Sequence, residues 1–363
     1  MRCAIVGSGV AALAAYATLR HGEIPAEEIA VFGTDEDPTA QWRVRAAAIH
    51  QRRMRSESDG HLAPASFPGL AVREAARRGS LLPLIASVTD RYHPSVDDFL
   101  AHADEVRGRS GWEDSFVRRR VERIRAAAGG FELDGAGPFA HVLIATGHPG
   151  LERLPGTVHA YEPHEFAARV AIVGAGMAAA TEWLNALDAG SEVISIRRRE
   201  PLRRPLNVPR QYFSKRGLAG FHALGPEQRA TKLWELNAPS YPPGPEWDRP
   251  LLRAESEGRL SIVRSSSDAA QTLPPDLQVI CATGFQRGWG RDPLLRDLVD
   301  SHAIETHDRW IVLDPDSTVP SLTDDTRTLA LAGIAAQWAF PAADTIAGAK
   351  YAARAFLRRC RTR

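Results

Sequence analysis

Cysteine, lysine and long apolar runs are what this 363-residue sequence has least of. The three cysteines, Cys3, Cys281 and Cys360, are too few and too far apart for a disulfide framework. They form no Cys-x-x-Cys pair, and a reducing cytoplasm is the expected compartment. Lysine stands only at Lys215, Lys232 and Lys350, so the cations are almost all arginine, as codon bias would produce. With 45 Lys+Arg against 44 Asp+Glu, there is no net field to recruit nucleic acid or an anionic membrane. The apolar stretch from Leu329 to Ala343 is broken by Gly333, Gln337 and Pro341, short of a bilayer span. Neither a His-Glu-x-x-His metal spacing nor a Gly-x-Ser-x-Gly elbow occurs, so a zinc enzyme or a serine hydrolase is not expected.

What the chain does have is one glycine motif written twice. Ala4-Ile5-Val6-Gly7-x-Gly9-x-Ala11-Ala12 recurs as Ala171-Ile172-Val173-Gly174-x-Gly176-x-Ala178-Ala179, each copy followed by an Ala-rich helical stretch. Each reads as a strand turning into a helix. The first Gly permits the tight turn, the second lets the backbone approach a pyrophosphate, and Ala12 or Ala179 lets helix and strand pack closely. The phosphate then meets unpaired N–H groups at the positive end of a helix. The apolar Cys3–Val6 runs straight into Gly7-Ser8-Gly9 and so reads as a first strand rather than a signal peptide.

A second landmark also repeats. Val142-Leu143-Ile144-Ala145-Thr146-Gly147 closes the first block as Val279-Ile280-Cys281-Ala282-Thr283-Gly284 closes the second. Before the first of these, Pro38 to Pro68 reads as an irregular arginine-rich loop over a ligand, and Gly129-Gly130 as a hairpin in a short meander. Strands at Trp310–Leu313 and Thr328–Ala332 and a helix from Ala342 to Arg359 lack a nucleotide loop of their own and are expected to return to the first domain. The expected fold class is α/β: two Rossmann-like dinucleotide-binding domains, the second (151–299) inserted in the first (1–150 plus 300–363).

Together these landmarks resemble the flavoproteins with two dinucleotide-binding domains, nearest to the flavin-containing and N-hydroxylating monooxygenases. The resemblance covers nearly the whole chain and implies FAD at the first loop (Gly7, Gly9, Ala12) and NADPH at the second (Gly174, Gly176, Ala179). At the end of the second strand of the second half stands Arg197-Arg198-Arg199. Arginine there suits a 2′-phosphate through charge-assisted bonds, which favours NADPH over NADH. In the first half, Gly33-Thr34-Asp35 replaces the usual strand-end acid, leaving Asp35 or Asp37 as the candidate ribose ligand, either of which could equally be a turn residue.

The resemblance implies further contacts. Trp42 and Arg43 fall where flavin monooxygenases carry a Trp near the cofactor, and Thr146, Gly147, Thr283 and Gly284 sit at the two repeated strand ends. Gly333 and Gln337 would contact the flavin chain, Ile334 replacing a common Asp. Pro341 would open a helix at Ala342 aimed at the flavin. Asp59 and His61, in the acid- and hydroxyl-rich loop from Met54, are candidates to move a proton at the flavin edge. Asn207 and Asn237 echo asparagines that touch nicotinamide and substrate. With no cysteine pair beside the flavin, the expected activity is an NADPH-dependent monooxygenase acting on a small molecule with O2 as co-substrate. The alternatives are an NADPH-dependent reductase of a quinone, small disulfide or redox partner protein, and a non-catalytic flavin-bound redox sensor. No metal is expected, and the oligomeric state is left open.

Overall fold

The computed structural model describes residues 2–55, 60–89, 91–265 and 277–361. Largely apolar strands two to six residues long assemble two parallel five-stranded sheets. In the first the spatial order is Thr328–Leu331, His141–Ile144, Cys3–Val6, Ile29–Gly33, Phe116–Arg118. In the second it is Leu260–Arg264, Glu192–Arg197, Arg169–Val173, Gln278–Cys281, Val158–His159. Every pairing within both is parallel. Such strands are covered on both faces, which is why Cys3–Val6 and His141–Ile144 are apolar or buried at every position. All strands of the second sheet lie in sequence between His141–Ile144 and Thr328–Leu331, so the second Rossmann-like unit is inserted in the first. The helix Ile346–Arg361 returns to pack on Val10–His21, as expected of the tail.

Several elements depart from the sequence reading. The segment read as an irregular loop contains the helix Ala40–Ala48, because Asp37 organises its start: the Thr39 amide and hydroxyl both donate to Asp37 Oδ1, at 2.8 and 2.7 Å. Just beyond it, Ile49 is buried in the core of the second unit. The final helix begins at Ile346, not at Ala342. Residues 341–344 form turns, and the Thr345 hydroxyl accepts from the Gly348 amide at the true start. The meander is three-stranded, Ile124–Ala127, Gly130–Leu133 and Ala136–Phe139. Three helices between the second sheet's strands, Lys215–His222, Pro226–Leu236 and Pro245–Ser256, were not foreseen. Phe221, Leu233 and Leu236 of this insertion pack with Trp338 and Phe340 in the first unit's core, so it bridges the two sheets.

The crossover between units is tied by its own backbone. Glu152 N donates to Gly284 O and Gln286 N to Gly150 O, each at 2.9 Å, so the outgoing and returning chains run antiparallel. The rings after the two repeated glycines, His148 and Phe285, stack face to face with centroids 4.4 Å apart. Tyr161 continues the stack on Phe285 at 5.0 Å and His159 on Tyr161 at 5.5 Å.

A buried ion pair braces the second unit beside this crossover. His164 Nε2 lies 2.7 Å from Glu182 Oε2 and Nδ1 lies 2.7 Å from Glu162 O. The Glu162 carbonyl can only accept, so Nδ1 carries hydrogen, and a Glu182 carboxylate opposite Nε2 favours the imidazolium form. The Glu182 bond raises the His164 pKa against the opposing effect of burial. Asn185 extends the chain, donating to Glu182 Oε1 and to Ile49 O of the first unit. A histidine whose folded pKa is raised stabilises fully below its unfolded value of about 6.5, and that contribution fades as pH climbs through the folded value. His164→Gln should therefore cost about 3 kcal/mol at pH 6, with the gap to the parent protein shrinking toward pH 9 in urea titrations. A gap constant with pH would rule out the charged pair.

Candidate functional site

Two loops of one shape stand at the carboxyl ends of the two sheets. At each, the glycine leaving the strand takes positive φ, +111° at Gly7 and +144° at Gly174. A Cβ on Gly7 would lie 2.3 Å from Ala145 O, and one on Gly174 2.4 Å from Ala282 O, so each strand end fits against its neighbour only without a side chain. The hydrogen bonds match as well. Gly7 N donates to Phe32 O as Gly174 N does to Ile196 O, and Ala145 N to Val6 O as Ala282 N to Val173 O. Gly9 and Gly176 then begin the helices Val10–His21 and Met177–Asp188 with no side-chain cap, and a Cβ on either would meet open space. Uncapped N–H groups facing open space at a helix start suit an anion. Ala12 and Ala179 are fully buried behind the loops, where small side chains let the helix lie close on the sheet.

The second loop opens on a cleft of about 960 Å³ between the two units, large enough for a dinucleotide and a small substrate. Of the residues singled out in the sequence, Trp42, Gly174, Gly176, Arg197, Arg198, Asn207, Thr283 and Gly284 line it. Asn207 is half-buried, and its amide has no side-chain partner among the described residues. Arg198 and Arg199 are exposed at the tip of the strand Glu192–Arg197. Arg197 is not equivalent to them. It is buried, paired with Glu200 at 3.0 Å, and lies 5.7 Å from the Trp183 ring.

A small cavity of about 30 Å³ leads inward and joins the two repeats. Gly147 and Gln337 line it, together with Arg287 and Arg309, which also line the large cleft. Gln337 and Asn237 exchange amide hydrogen bonds at 3.1 Å in both directions, and Arg287 donates to Asn237 Oδ1. The pairing links the first unit to the insertion in the second. Thr146 donates to Asp292 Oδ2 at 3.0 Å, and Asp292 Oδ1 caps the helix Pro293–His302. Gly333 takes φ +65° directly after the strand Thr328–Leu331, and Ala342 is wholly buried in the first core.

Other expected residues have different work. Arg43 is held by Asp37 at 3.2 Å and by both oxygens of Asp104 at 2.7 and 2.8 Å, a structural clamp that is not among the residues lining the cleft. Trp42 packs edge-on against Phe99 at 5.2 Å while its other side reaches the cleft. His61 is drawn inward by Leu62 and Ala63. It is 5% exposed, packs edge-on against Phe67, and is not among the residues lining the cleft, so the structure does not support a proton-moving role for it. Asp59 lies outside the described residues. Asp35 is half-buried beyond the second strand and touches only Thr34 Oγ1, at 3.4 Å.

The cleft also holds groups that the sequence reading passed over. Arg55 spends all five guanidinium hydrogens on the insertion: Pro205 O at 3.3 Å, Leu206 O at 3.0 Å, Ser240 O at 2.9 Å, Ser240 Oγ at 3.1 Å, and Arg204 O. Burial pushes its pKa down, and these acceptors offset the lost hydration. Burial raises the pKa of the Asp344 carboxyl, which also lines the cleft, while Arg287 and Arg55 pull it back. His148 is driven down to about 3 by burial and by Arg287, so the ring is neutral at ordinary pH. No sequence motif marked Arg287, Arg309 or Asp344; only their closeness to Gly284 and Pro341 hinted at them.

No family model matches the chain, and no curated protein matches it by sequence. Solved structures do match, over nearly the full length of both partners. The ornithine N-hydroxylase of Kutzneria sp. 744, solved with reduced FAD, NADP+ and L-ornithine, superposes with a TM-score of 0.69 at 17% identity, covering 98% of this chain and 99% of that one. The FAD-bound cadaverine monooxygenase of Erwinia amylovora gives 0.70 at 12% identity, covering 99% and 94%. The bacillithiol disulfide reductase of Bacillus cereus gives 0.62 at 13% identity, covering 99% and 98%. These likenesses establish that the chain has the two-Rossmann-domain flavoprotein fold.

The two glycines of the first loop should separate folding from binding. Gly7→Ala forces a Cβ into the Ala145 carbonyl and should cost about 3 kcal/mol in urea unfolding. Gly9→Ala meets no protein atom and should stay within about 1 kcal/mol of the parent. Its affinity for a pyrophosphate-bridged dinucleotide should nevertheless fall about tenfold by equilibrium dialysis, because the methyl stands in the anion's place. Equal stability losses for the two variants would refute the assignment of roles.

Proposed function

We propose that this protein is an FAD-containing, NADPH-dependent monooxygenase that oxygenates a small molecule, most simply at an amine nitrogen. The observation that carries the reading is the pair of equivalent, uncapped anion loops, Gly7–Gly9 and Gly174–Gly176, the second of which opens on the inter-unit cleft. The superposed ornithine and cadaverine enzymes support the choice of nitrogen.

On this reading, Gly7 to Gly9 hold the FAD pyrophosphate and Gly174 to Gly176 that of NADPH, while Arg198 and Arg199 receive the 2′-phosphate. When bound, FAD supplies the two-electron chemistry that accepts hydride from NADPH and engages O2. The chain's own task is placement. Thr283 and Gly284 stand beside the nicotinamide loop, and the free amide of Asn207 is available to nicotinamide or substrate. The Asn237–Gln337 pair keeps the two units in register, and the His148–Phe285–Tyr161 stack closes the cleft floor against water.

A thiol-based reductase fits less well, because none of the three cysteines lines the cleft. Cys3 and Cys360 do meet, with sulfurs 3.4 Å apart, a contact hidden by their sequence separation. Both are fully buried, and Cys3 is at the amino end of its strand. Three residue steps separate it from the loop end of that strand, about 10 Å.

Purified protein should be yellow, or take up FAD, and should bleach on anaerobic NADPH addition; a protein that neither holds nor gains flavin would overturn the proposal. Oxygen uptake stimulated by an amine without matching peroxide release would support oxygenation, whereas turnover accelerated only by a quinone or disulfide would favour a reductase. The double variant Arg198→Ala/Arg199→Ala should weaken NADP+ binding about tenfold and leave NAD+ binding unchanged, since exposed charge-assisted contacts are worth about 1.5 kcal/mol. Arg197→Ala should lower stability more than nucleotide preference.

A further inference from the structure

The cleft carries more positive charge than a dinucleotide needs. Six of its arginines have visible work: Arg198 and Arg199 stand at the strand tip proposed for the 2′-phosphate, and Arg197 is paired with Glu200. Arg55 and Arg204 donate to backbone carbonyls and Ser240, and Arg45 lies over the Phe285 ring at 4.9 Å. Three are left, Arg287, Arg291 and Arg309, all on the wall opposite the second glycine loop.

None of these three forms an ion pair among the described residues. Arg309 lies flat on Trp234, 3.5 Å from the ring centroid, and 5.7 Å from Trp310. Burial lowers its pKa, the Asp308 carboxylate opposes that shift, and the like charge of Arg287 adds to it, so the two guanidiniums feel one another's charge. Arg287 uses one nitrogen on Asn237 Oδ1. Arg291 is exposed, with no side-chain contact. The acids facing them are Asp308, which accepts from Trp234 Nε1 at 2.7 Å, and Asp344, whose buried carboxyl has a raised pKa. Arg287 and Arg309 also line the inner cavity that reaches Gly147 and Gln337. The pair therefore spans both cavities, and on the proposed function this part of the cleft takes the substrate.

We propose that Arg287 and Arg309, with Arg291 at the mouth, bind an anionic group of the organic substrate, most simply a carboxylate. Neither guanidinium is in a salt bridge among the described residues, so an anion between them relieves the repulsion that Asp308 and Asp344 leave, and a planar carboxylate matches their forked donors. Trp234 and Trp310 give the adjoining carbon skeleton an aromatic wall. On this inference the protein selects an acid and rejects a doubly cationic diamine, which would add charge to an already cationic wall. The inference rests on the cleft being the shared cofactor and substrate site.

The test titrates FAD-loaded protein, with NADP+ saturating so that the nucleotide phosphate positions are filled, with phenylacetate and with its neutral isostere phenylacetamide. Tryptophan fluorescence and the flavin visible band report binding. Phenylacetate should bind about tenfold more tightly, and the preference should shrink at high salt. Arg309→Gln should abolish the preference while flavin content stays at the parent level. Arg291→Gln, at an exposed position with no contacts to lose, should reduce it about threefold even if the Arg309 variant proves unstable. Equal binding of acid and amide, no saturable response to the carboxylate, or a preference retained in both variants would overturn the proposal. Failure to hold FAD, read from the visible spectrum before titration, would bring down the functional reading and this inference with it; flavin retained without acid preference would bring down this inference alone.

Discussion

Everything in this molecule turns on the crossing point where the chain leaves the first sheet and later returns to it. The two hydrogen bonds there, Glu152 N to Gly284 O and Gln286 N to Gly150 O, lay the strand ends Ala145-Thr146-Gly147 and Ala282-Thr283-Gly284 side by side. Because the loops Gly7–Gly9 and Gly174–Gly176 are each packed against one of those ends, a single local pairing fixes how the two anion sites stand relative to one another. The stacked rings of His148 and Phe285 fill the space between the two backbones. Burial leaves His148 uncharged, which lets it stack on Phe285 while Arg45 and Arg287 lie near. A charged or flexible residue at 148 would have to be solvated, and the crossover would open.

Much of this was legible in the sequence because close packing leaves a chemical trace. A strand that must touch its neighbour's carbonyl can end only in glycine, and a helix that must lie on that strand can begin only with small residues. Gly7, Ala12, Gly174 and Ala179 are therefore readable without coordinates, and so are the two sheets and the insertion of one unit in the other. The helix Ala40–Ala48 was not, because its start depends on the Asp37–Thr39 turn and its end on Ile49 entering a core whose other residues begin at Ala160. The start of the last helix was misplaced for a similar reason. Proline at position 341 is compatible with a first turn, but the cap that forms is Thr345.

Site residues divide along the same line. Of the repeated motif, Gly174, Gly176, Thr283 and Gly284 line the cleft, and Ala12 and Ala179 are buried behind the loops. Two residues singled out by their place in the sequence do not line it: Arg43 is held by Asp37 and Asp104, and His61 is carried into the interior by its apolar neighbours. Arginine is so common in this chain that its presence near a motif carries little information; partners decide its role. Arg55 shows the extreme case, with every donor committed to the insertion and none left for a ligand.

That commitment bears on how the cleft can work. Five bonds from one side chain in the first unit to residues 204–206 and 240 hold the insertion over the site, and the Asn237–Gln337 pair repeats the constraint from the other end. Swinging the second unit as a rigid body would strip a buried guanidinium of all its acceptors at once, a cost of several kcal/mol. Exchange of nucleotide and substrate is therefore better served by local movement of exposed residues at the cleft mouth, such as Arg198, Arg199, Trp234 and Arg291, than by domain rotation. A rigid frame with a mobile rim also explains why the mouth is lined by side chains with few partners, while the floor is built from stacked rings and paired amides.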